Sequence, residues 1–439
     1  MTLELSDIMF TKNADVIPPF GVEDIVNTGV SNTLAGNDII KGDSNNTITT
    51  SPYSRESTGL FNSGTLNTSD GNDILTGIFE AQDTSPQLNI SQINGIDNAF
   101  GGTIDTGNGN DIIQGIIQKD QDLGYGLNAA LLNDGTIYTD NGNDIIIGIH
   151  NGLFNNNHYA IINRGSIDTG NGNDTIRGIS ERGIGIYSTG TINTGDGNDI
   201  IEGTATLGEG ILFSNNGVID TSIKLDTGRG NDIIAGTGTR GLEIYMTITT
   251  GEGNDTISGT GFFGEGFYNA AGSVYTGDGN DIISGASKDG FGISNGNQYR
   301  RDSIIDTGDG NDVITGIGSG GIYNGGIIKT GNGNDSIIAD GGNYLDFHGE
   351  GSVFLENGKD FLRGFGRGIF NGGNGEDTLE LTPGSYTVGI SGTTVNFFAS
   401  QLTTTMQTSD FEILIAGGTR YDFSSLTDGQ IITIPYPSI

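Results

Sequence analysis

Short segments of alternating apolar and polar residues, most of them bounded by glycine, fill the greater part of this chain. One position is aliphatic in repeat after repeat, and its neighbour is mostly polar. The aliphatic residues are Ile104, Ile137, Ile167, Ile192, Leu225, Ile248, Val274, Ile305 and Ile328. A period of two sends one side chain toward a core and the next toward solvent, as in a half-buried β-strand. The pattern therefore predicts strands, and the density of glycine disfavours helices.

The shortest repeats show the whole unit. From Gly321 the chain reads Gly-Ile-Tyr-Asn, then Gly-Gly, Ile-Ile-Lys-Thr, Gly-Asn-Gly-Asn-Asp and Ser-Ile-Ile, and similar segments begin at Gly59, Gly266 and Gly292. We interpret this unit as three short strands separated by glycine corners. Coils of this kind, stacked about 4.8 Å apart, predict an all-β, right-handed parallel β-helix or β-solenoid. Longer repeats place their extra residues mostly between the third strand and the next first strand.

The tripeptide Gly-Asn-Asp marks one corner of each coil and recurs eleven times. A threonine stands three residues before each of these glycines, and Ile or Leu stands two residues after each aspartate. The aspartates are Asp38, Asp73, Asp111, Asp144, Asp174, Asp199, Asp232, Asp255, Asp281, Asp312 and Asp335. Successive aspartates are 23 to 38 residues apart, so each coil contributes one such corner.

These corners combine glycine, which permits close backbone approach, with side-chain oxygens, and that combination suits a hard cation such as Ca²⁺. The third position of the corner is also acidic in several repeats, at Asp70, Asp196, Asp278 and Asp309. Carboxylates stacked every ~4.8 Å repel by roughly 1 kcal/mol per neighbour in water. We therefore predict multiple Ca²⁺ ions at these aspartates. The alternative is that the Asn and Asp side chains only close hydrogen bonds at the corners.

Composition narrows the choice of partner. The chain of 439 residues has a net charge of −36, contains no cysteine and has only three histidines. Such acidity argues against nucleic acid and anionic lipid, and the lack of cysteine and scarcity of histidine argue against transition metals. No stretch approaches the roughly 20 apolar residues of a membrane span, and the N-terminal residues do not have the pattern of a signal peptide.

The corner resembles the nonapeptide G-G-x-G-x-D-x-U-x of the RTX, or hemolysin-type, calcium-binding repeat proteins. Residues 372–380 match it at every defined position, and residues 106–114 differ only by threonine in place of the first glycine. The resemblance covers roughly residues 33–381 and adds Asp360 and Asp377 to the expected calcium ligands. It departs from the family by using one corner per long coil instead of tandem nonapeptides. Asp360 and Asp377 are only 17 residues apart, so the coil is expected to narrow there.

The resemblance implies an extracellular or cell-surface protein that is exported by type I secretion without an N-terminal signal peptide. We expect an N-terminal cap at residues 1–32, the repetitive solenoid at 33–381, and a C-terminal β-cap with the secretion region at 382–439. The expected function is that of a secreted calcium-binding β-solenoid with a structural, surface-matrix or adhesive role, and a cell-surface or extracellular glycan is a candidate partner.

Two other functions remain open. A β-helix enzyme acting on acidic polysaccharide, a lyase or an epimerase, is the alternative, and the basic cluster Tyr299–Asp302 would then matter. We expect no enzyme, and we expect His150, His158 and His348 to be ordinary residues of irregular segments. An ice- or mineral-binding face would need a regular threonine array. Thr103, Thr136, Ser166 and Thr191 begin one, but Lys224, Ile304 and Ile327 interrupt it.

Overall fold

The computed structural model describes residues 2–17, 24–44, 58–80, 92–119, 127–152, 158–214, 224–342 and 345–436. It forms two compact units, Met1–Thr239 and Arg240–Ile439. Within the described residues both units consist of β-strands, and the only helices are single 3-10 turns at Leu5–Asp7 and Phe423–Ser425. None of the described segments is a helix long and apolar enough to span a membrane.

The first unit contains three parallel sheets, which each coil visits in turn. Sheet 1 consists of Thr2–Glu4, Asp24–Asn27, Thr58–Asn62, Gln92–Asn98, Leu127–Asn133, His158–Asn163, Ile184–Ser188 and Ile211–Phe213. Sheet 2 consists of Val30–Asn32, Thr65–Asn67, Thr103–Asp105, Thr136–Tyr138, Ser166–Asp168, Thr191–Asn193 and Lys224–Asp226. Sheet 3 consists of Val16–Ile17, Ile39–Ser44, Ile74–Glu80, Ile112–Lys119, Ile145–His150, Thr175–Ser180, Ile200–Ala205 and Ile233–Gly238.

The second unit repeats the arrangement. Its sheet 1 consists of Leu242–Ile244, Phe267–Asn269, Ile293–Asn295, Ile322–Asn324 and Phe347–His348. Its sheet 2 begins with Thr247–Thr249, Ser273–Tyr275, Ile304–Asp306, Ile327–Lys329, Ser352–Phe354 and Gly368–Asn371. Its sheet 3 consists of Thr256–Gly261, Ile282–Ser287, Val313–Gly318, Ser336–Gly341, Phe361–Arg363, Thr378–Leu381, Ile413–Ala416 and Thr419–Asp422. Asn357–Gly358 and Asn374–Gly375 form a small separate sheet.

These sheets confirm the predicted parallel β-solenoid with three strands per coil. The aliphatic residue of each second strand, such as Ile104 or Ile305, is completely buried. A column of asparagines lines the end of sheet 1, where the side-chain amide of each donates to the next. The Nδ2 atom of Asn98 lies 2.8 Å from Oδ1 of Asn133, and that of Asn133 lies 2.9 Å from Oδ1 of Asn163. Parallel stacking in register brings identical residues together, so each interaction repeats in successive coils.

The ends of the array differ from the repeat. Thr2–Glu4 and Val16–Ile17 already pair with the strands of the following coil, so coil geometry extends into the segment expected to be a cap. In the coil between Asp360 and Asp377, sheet 1 is reduced to an isolated bridge between Phe347 and Gly366, which is the expected narrowing.

Beyond Leu381 the strands become mostly antiparallel. Gly384–Ser391, Thr394–Ala399, Thr404–Ser409 and Ile431–Ile434 extend sheet 2, and Thr404–Ser409 pairs with Gly368–Asn371 in parallel. The domain limits at residues 32 and 381 stay a prediction, and the boundary between the two units falls inside the repeat array.

The three histidines do not lie in irregular segments as expected. His150 ends a strand of sheet 3, His158 begins a strand of sheet 1, and both are buried with their rings stacked at 4.4 Å. His348 lies in the last strand of sheet 1. For His150 and His158 the expectation was wrong because the strands beside the inserts are longer than the periodic core of the repeat, whereas His348 occupies the periodic position that matches Tyr323. Ile78–Glu80 and Gln92–Asn94 show the same extension, with Phe79 and Ile93 completely buried.

Candidate metal centre

The predicted corner brings successive coils into close contact through two glycine positions. A Cβ atom on Gly109 would lie 1.3 Å from the carbonyl oxygen of Gly71 in the preceding coil, and one on Gly142 would lie 1.3 Å from that of Gly109. Gly107, two residues earlier, has φ 75°, which favours glycine. The backbone therefore stacks so tightly at this corner that a carbonyl oxygen occupies the place of a side chain.

The aspartate of each corner forms a ladder along the coils. Its Oδ1 atom accepts a hydrogen bond from the backbone N–H of the aspartate in the preceding coil. The N–H of Asp111 donates to Asp144 at 2.7 Å, and that of Asp312 donates to Asp335 at 2.8 Å. The same bond joins Asp38 to Asp73, Asp73 to Asp111, Asp144 to Asp174, Asp174 to Asp199, Asp199 to Asp232, Asp255 to Asp281, Asp281 to Asp312, Asp335 to Asp360 and Asp360 to Asp377.

The second carboxylate oxygen has no such partner in most coils. Among the described residues, Oδ2 is buried without a hydrogen-bond donor in Asp73, Asp111, Asp144, Asp174, Asp199, Asp281, Asp312, Asp335, Asp360 and Asp377. The hydroxyl of the motif's threonine lies next to the carboxylate, and Thr33 donates to Asp38. In several other coils this single proton goes to the next coil, as from Thr139 to the carbonyl of Thr169 at 3.2 Å, whereas the hydroxyl groups of Thr106 and Thr194 have no hydrogen-bond partner within the described part of the chain. The result is a column of buried oxygens without donors.

Burial changes the protonation of this column. It raises the pKa of Asp111 and Asp144 to about 7. The hydrogen bond from the preceding aspartate and the neighbouring threonine lower the pKa in part, while adjacent carboxylates raise it. The same cause raises the pKa of Asp174 and Asp335 to about 6. A buried carboxylate without a counter-charge is costly, so the column is either partly protonated or neutralised by a cation.

The structure separates the predicted ligands into two sets. The Gly-Asn-Asp aspartates, together with Asp360 and Asp377, are buried, whereas Asp70, Asp196, Asp278 and Asp309 are exposed. The exposed position carries its own ladder of side chains. Asn108 donates from Nδ2 to Asp70 at 2.8 Å, and Asn332 donates to Asp309 at 2.5 Å. At this position the side chains form the hydrogen bonds that the alternative interpretation expects, and a cation bound there would be exposed to solvent.

The asparagine of Gly-Asn-Asp forms a second ladder of hydrogen bonds along the coils. The backbone N–H of Asn110 donates to Oδ1 of Asn72, and that of Asn143 donates to Oδ1 of Asn110, each at 2.7 Å. These side chains lie on the exposed side of the corner. These bonds are the ones that the hydrogen-bond alternative expects at this residue.

Two further acids, the half-buried Asp15 and the exposed Glu412, extend the ladder at its ends, and neither follows a glycine corner. The N–H of Asp15 donates to Oδ1 of Asp38 at 2.7 Å, and the N–H of Asp377 donates to Oε2 of Glu412 at 2.7 Å. One signal could have identified both, because Ile17 and Leu414 stand two residues after these acids, as in every repeat. Sequence reasoning missed them because it required the preceding glycine.

The donor set fits calcium better than other metals. Each corner offers one buried carboxylate, and the backbone carbonyls of the stacked glycines lie at the same corner. Oxygen-only ligands that combine carboxylates and carbonyls are typical of Ca²⁺. Within the described part of the chain, no three His, Cys, Asp or Glu side chains come together in a group that could hold a metal. A site at this corner must therefore rely on backbone carbonyls and on two neighbouring coils.

Comparisons with known proteins add little about function. No family model matches the chain, and no curated protein matches it. Among solved structures, it is similar to a hyperactive, Ca²⁺-dependent, β-helical antifreeze protein from an Antarctic bacterium. That match has 18% identity and a TM-score of 0.36, and covers 85% of this chain and 78% of the other. Likeness at this level does not extend to function.

Proposed function

We propose that this chain is a secreted calcium-binding β-solenoid of the RTX type, with a structural, surface-matrix or adhesive role. The observation that carries the proposal is the column of buried Oδ2 atoms without hydrogen-bond donors in ten ladder aspartates. Calcium held by these carboxylates and by the glycine carbonyls would neutralise the column and join each coil to the next. In the absence of the ion, burial and mutual repulsion of the carboxylates oppose folding.

Calcium would act as a linked folding ligand. A ligand that binds only the folded state stabilises it by about 2.7 kcal/mol per site at a hundred times its Kd. Many weak sites along the ladder would together contribute a large share of the stability. This dependence agrees with export by type I secretion to the cell surface, because calcium is scarce inside cells and abundant outside.

Thermal unfolding of the full chain tests this proposal. The protein is treated with chelator, dialysed, and heated at increasing concentrations of CaCl₂ or of MgCl₂, with far-UV circular dichroism as the signal. We expect calcium to raise the Tm and sharpen the transition, and magnesium to do so far less because it requires a stricter octahedron. Identical melting curves with and without calcium would remove the metal role and leave only the hydrogen-bonded ladder.

The alternative is an enzyme acting on acidic polysaccharide. Its expected basic cluster, Tyr299–Asp302, lies in the second unit, and Arg301 forms an exposed ion pair with Glu350 at 3.2 Å. An ice-binding face receives less support. Thr103, Thr136, Ser166 and Thr191 do stack in register in sheet 2, but the Ile304–Ile327 pair occupies the same strand position in the second unit.

A further inference from the structure

We propose that the outer face of sheet 1 in the second unit binds an acidic oligosaccharide through its uronate groups. The site is a cavity of about 420 Å³, which is within the usual range for ligand sites. Its lining includes Phe291, Tyr323, His348, Arg301, Arg367 and Glu350. The inference deepens the adhesive part of the proposed function by naming a partner and its site, and it does not depend on metal at the corners.

Aromatic side chains form the floor of this cavity. The rings of Phe291 and Tyr323 are 5.5 Å apart between centroids, and those of Phe291 and His348 are 5.1 Å apart at 68°. Tyr323 and His348 occupy matched positions of neighbouring strands. A Cβ on Gly320 would lie 2.3 Å from the Phe291 ring, so this glycine lets the ring lie flat against the backbone. Half-buried aromatic rings that line a cavity in this way suit the apolar face of a sugar ring.

Two arginines border these rings in a chain whose net charge is −36. Arg301 forms an ion pair with Glu350, and the two side chains are 63% and 67% exposed. Such an exposed ion pair contributes little to the stability of the fold, so Arg301 can release Glu350 and bind a ligand instead. No carboxylate of the described residues lies within ion-pair distance of Arg367. A guanidinium presents a planar fork of donors that matches a carboxylate. An unpaired arginine beside aromatic rings therefore favours an anionic ligand.

Glu350 indicates which class of anion the cavity would bind. It lines the cavity together with both arginines, and it also lines a second cavity of about 340 Å³ with Arg367 and Thr403–Thr405. A carboxylate in an anion site repels a simple anion but accepts hydrogen bonds from hydroxyl groups. A uronic acid offers both a carboxylate and hydroxyl groups. Burial, assisted by the charge of Arg367, lowers the pKa of His348, which keeps this ring neutral at pH 7 and available for stacking.

The same face of the first unit has a different character. At the positions that match Tyr323, the first unit carries Leu132 and Ile162, which are buried in a small cluster with Ala129, and Tyr187, which packs against that cluster with Tyr159. In the second unit, Tyr323 and His348 occupy such positions in neighbouring strands and line a cavity together with Arg301 and Arg367. The difference indicates a specific surface of the second unit and not a property of every coil.

Calorimetric titration of the full chain with a defined oligouronate tests the inference. Each ligand is also titrated into protein-free buffer with the same calcium concentration. Subtracting this blank removes the heat that arises when the sugar itself binds calcium. A neutral oligosaccharide of equal length and an acidic peptide serve as comparison ligands. We expect the oligouronate to bind and to weaken as salt is added, and both comparison ligands to bind at least ten-fold more weakly.

Variants then locate the site. Arg301→Ala and Arg367→Ala should each weaken binding about ten-fold, since each removes a charged hydrogen bond. Arg177→Ala removes an exposed, ion-paired arginine of the first unit and should leave the affinity unchanged. Tyr323→Ala should weaken binding, whereas Tyr323→Phe should retain it. Absence of oligouronate binding, equal binding of the acidic peptide, or an equal effect of Arg177→Ala would overturn the inference. Each result is independent of whether calcium alters the melting curve.

Discussion

The backbone N–H of Asp111 donates to Oδ1 of Asp144 at 2.7 Å, while Oδ2 of Asp144 is buried without a donor. One carboxylate therefore closes the corner with one oxygen, and the other oxygen is the one to which we assign the proposed cation. The two roles can be separated by substitution, because an amide keeps the acceptor and removes the charge.

Asp144→Asn should preserve the hydrogen bond from Asp111 and abolish one calcium site. In chelator its Tm should equal or exceed that of the wild type, because a buried charge is gone. Addition of calcium should raise the Tm of this variant less than it raises the Tm of the wild type. Asp144→Ala leaves the N–H of Asp111 without an acceptor and should cost about 1–3 kcal/mol with or without calcium. Chemical denaturation measures both, with Asp289→Asn as an exposed control. The assignment fails if calcium stabilises the Asn variant as much as the wild type, or if the Asn and Ala variants are equally destabilised in chelator.

Lower pH should stabilise the calcium-free protein. The pKa of Asp111, Asp144 and Asp199 is raised from 3.8 to about 7 by burial. Between these values the folded state binds more protons than the unfolded state, so stability falls as pH rises. The Tm in chelator should therefore increase as pH is lowered from 7.5 toward 5.

Calcium should reverse this trend, because the ion requires deprotonated carboxylates and its affinity must fall as pH decreases. In saturating calcium the Tm should be higher at pH 7.5 than at pH 5, and calcium binding at pH 6.5 should release protons. Calorimetry in two buffers of different ionisation enthalpy measures that release. Calcium binding that is independent of pH would place the ion away from the ladder aspartates.

Gly109→Ala should disrupt the stacking of coils. The new methyl group would meet the carbonyl oxygen of Gly71 at 1.3 Å, so the backbone of two coils must separate. The expected loss is about 3 kcal/mol or more, beyond ordinary overpacking. Gly101→Ala is the matched control, because Gly101 has φ 79° but no atom within 4 Å of the added Cβ. Urea denaturation should show a much smaller loss there, and equal losses would show that conformational strain and not coil contact is responsible.

Asn133→Asp should destabilise the first unit in a pH-dependent way. The amide of Asn133 donates to Oδ1 of Asn163 and to the carbonyl of Ser166, both at 2.9 Å. A carboxylate cannot donate and would face two acceptors in a buried position. The loss should be at least 2 kcal/mol at pH 7, and smaller at pH 4 where the acid is protonated. Asn110→Asp on the exposed ladder should cost little at either pH.

The sequence predicted the coil well because every physical requirement of the coil repeats in it. Ile104 must be apolar to fill the core and Gly109 must lack a side chain, and both requirements leave a visible period. Asp111 was predicted as a ligand from the glycine and oxygen donors of its recurring corner and from the resemblance to the RTX nonapeptide. Its hydrogen bond to the next coil could not be predicted, because the repeat period of the sequence does not show which carboxylate oxygen faces the neighbouring coil.

Other features could not be predicted because they arise from contacts that do not repeat. The stacking of His150 on His158 depends on two strands that are extended beside one insert. This extension does not follow the repeat period, so the sequence pattern does not show it. Phe291, Tyr323 and Arg367 come from three different coils and carry no shared motif. Glu412 could have been found only by relaxing the Gly-Asn-Asp requirement.

Glu412 has a consequence for assembly. A stack of identical coils has no inherent end, and an exposed last coil is a template on which a second molecule could continue the sheets. Here the last aspartate of the ladder, Asp377, gives its N–H to a glutamate. The strand Ile413–Ala416 that follows pairs next with the antiparallel strand Thr419–Asp422. Because a longer side chain and a reversed strand replace the next coil, the parallel, in-register stack of sheet 3 ends within the chain itself.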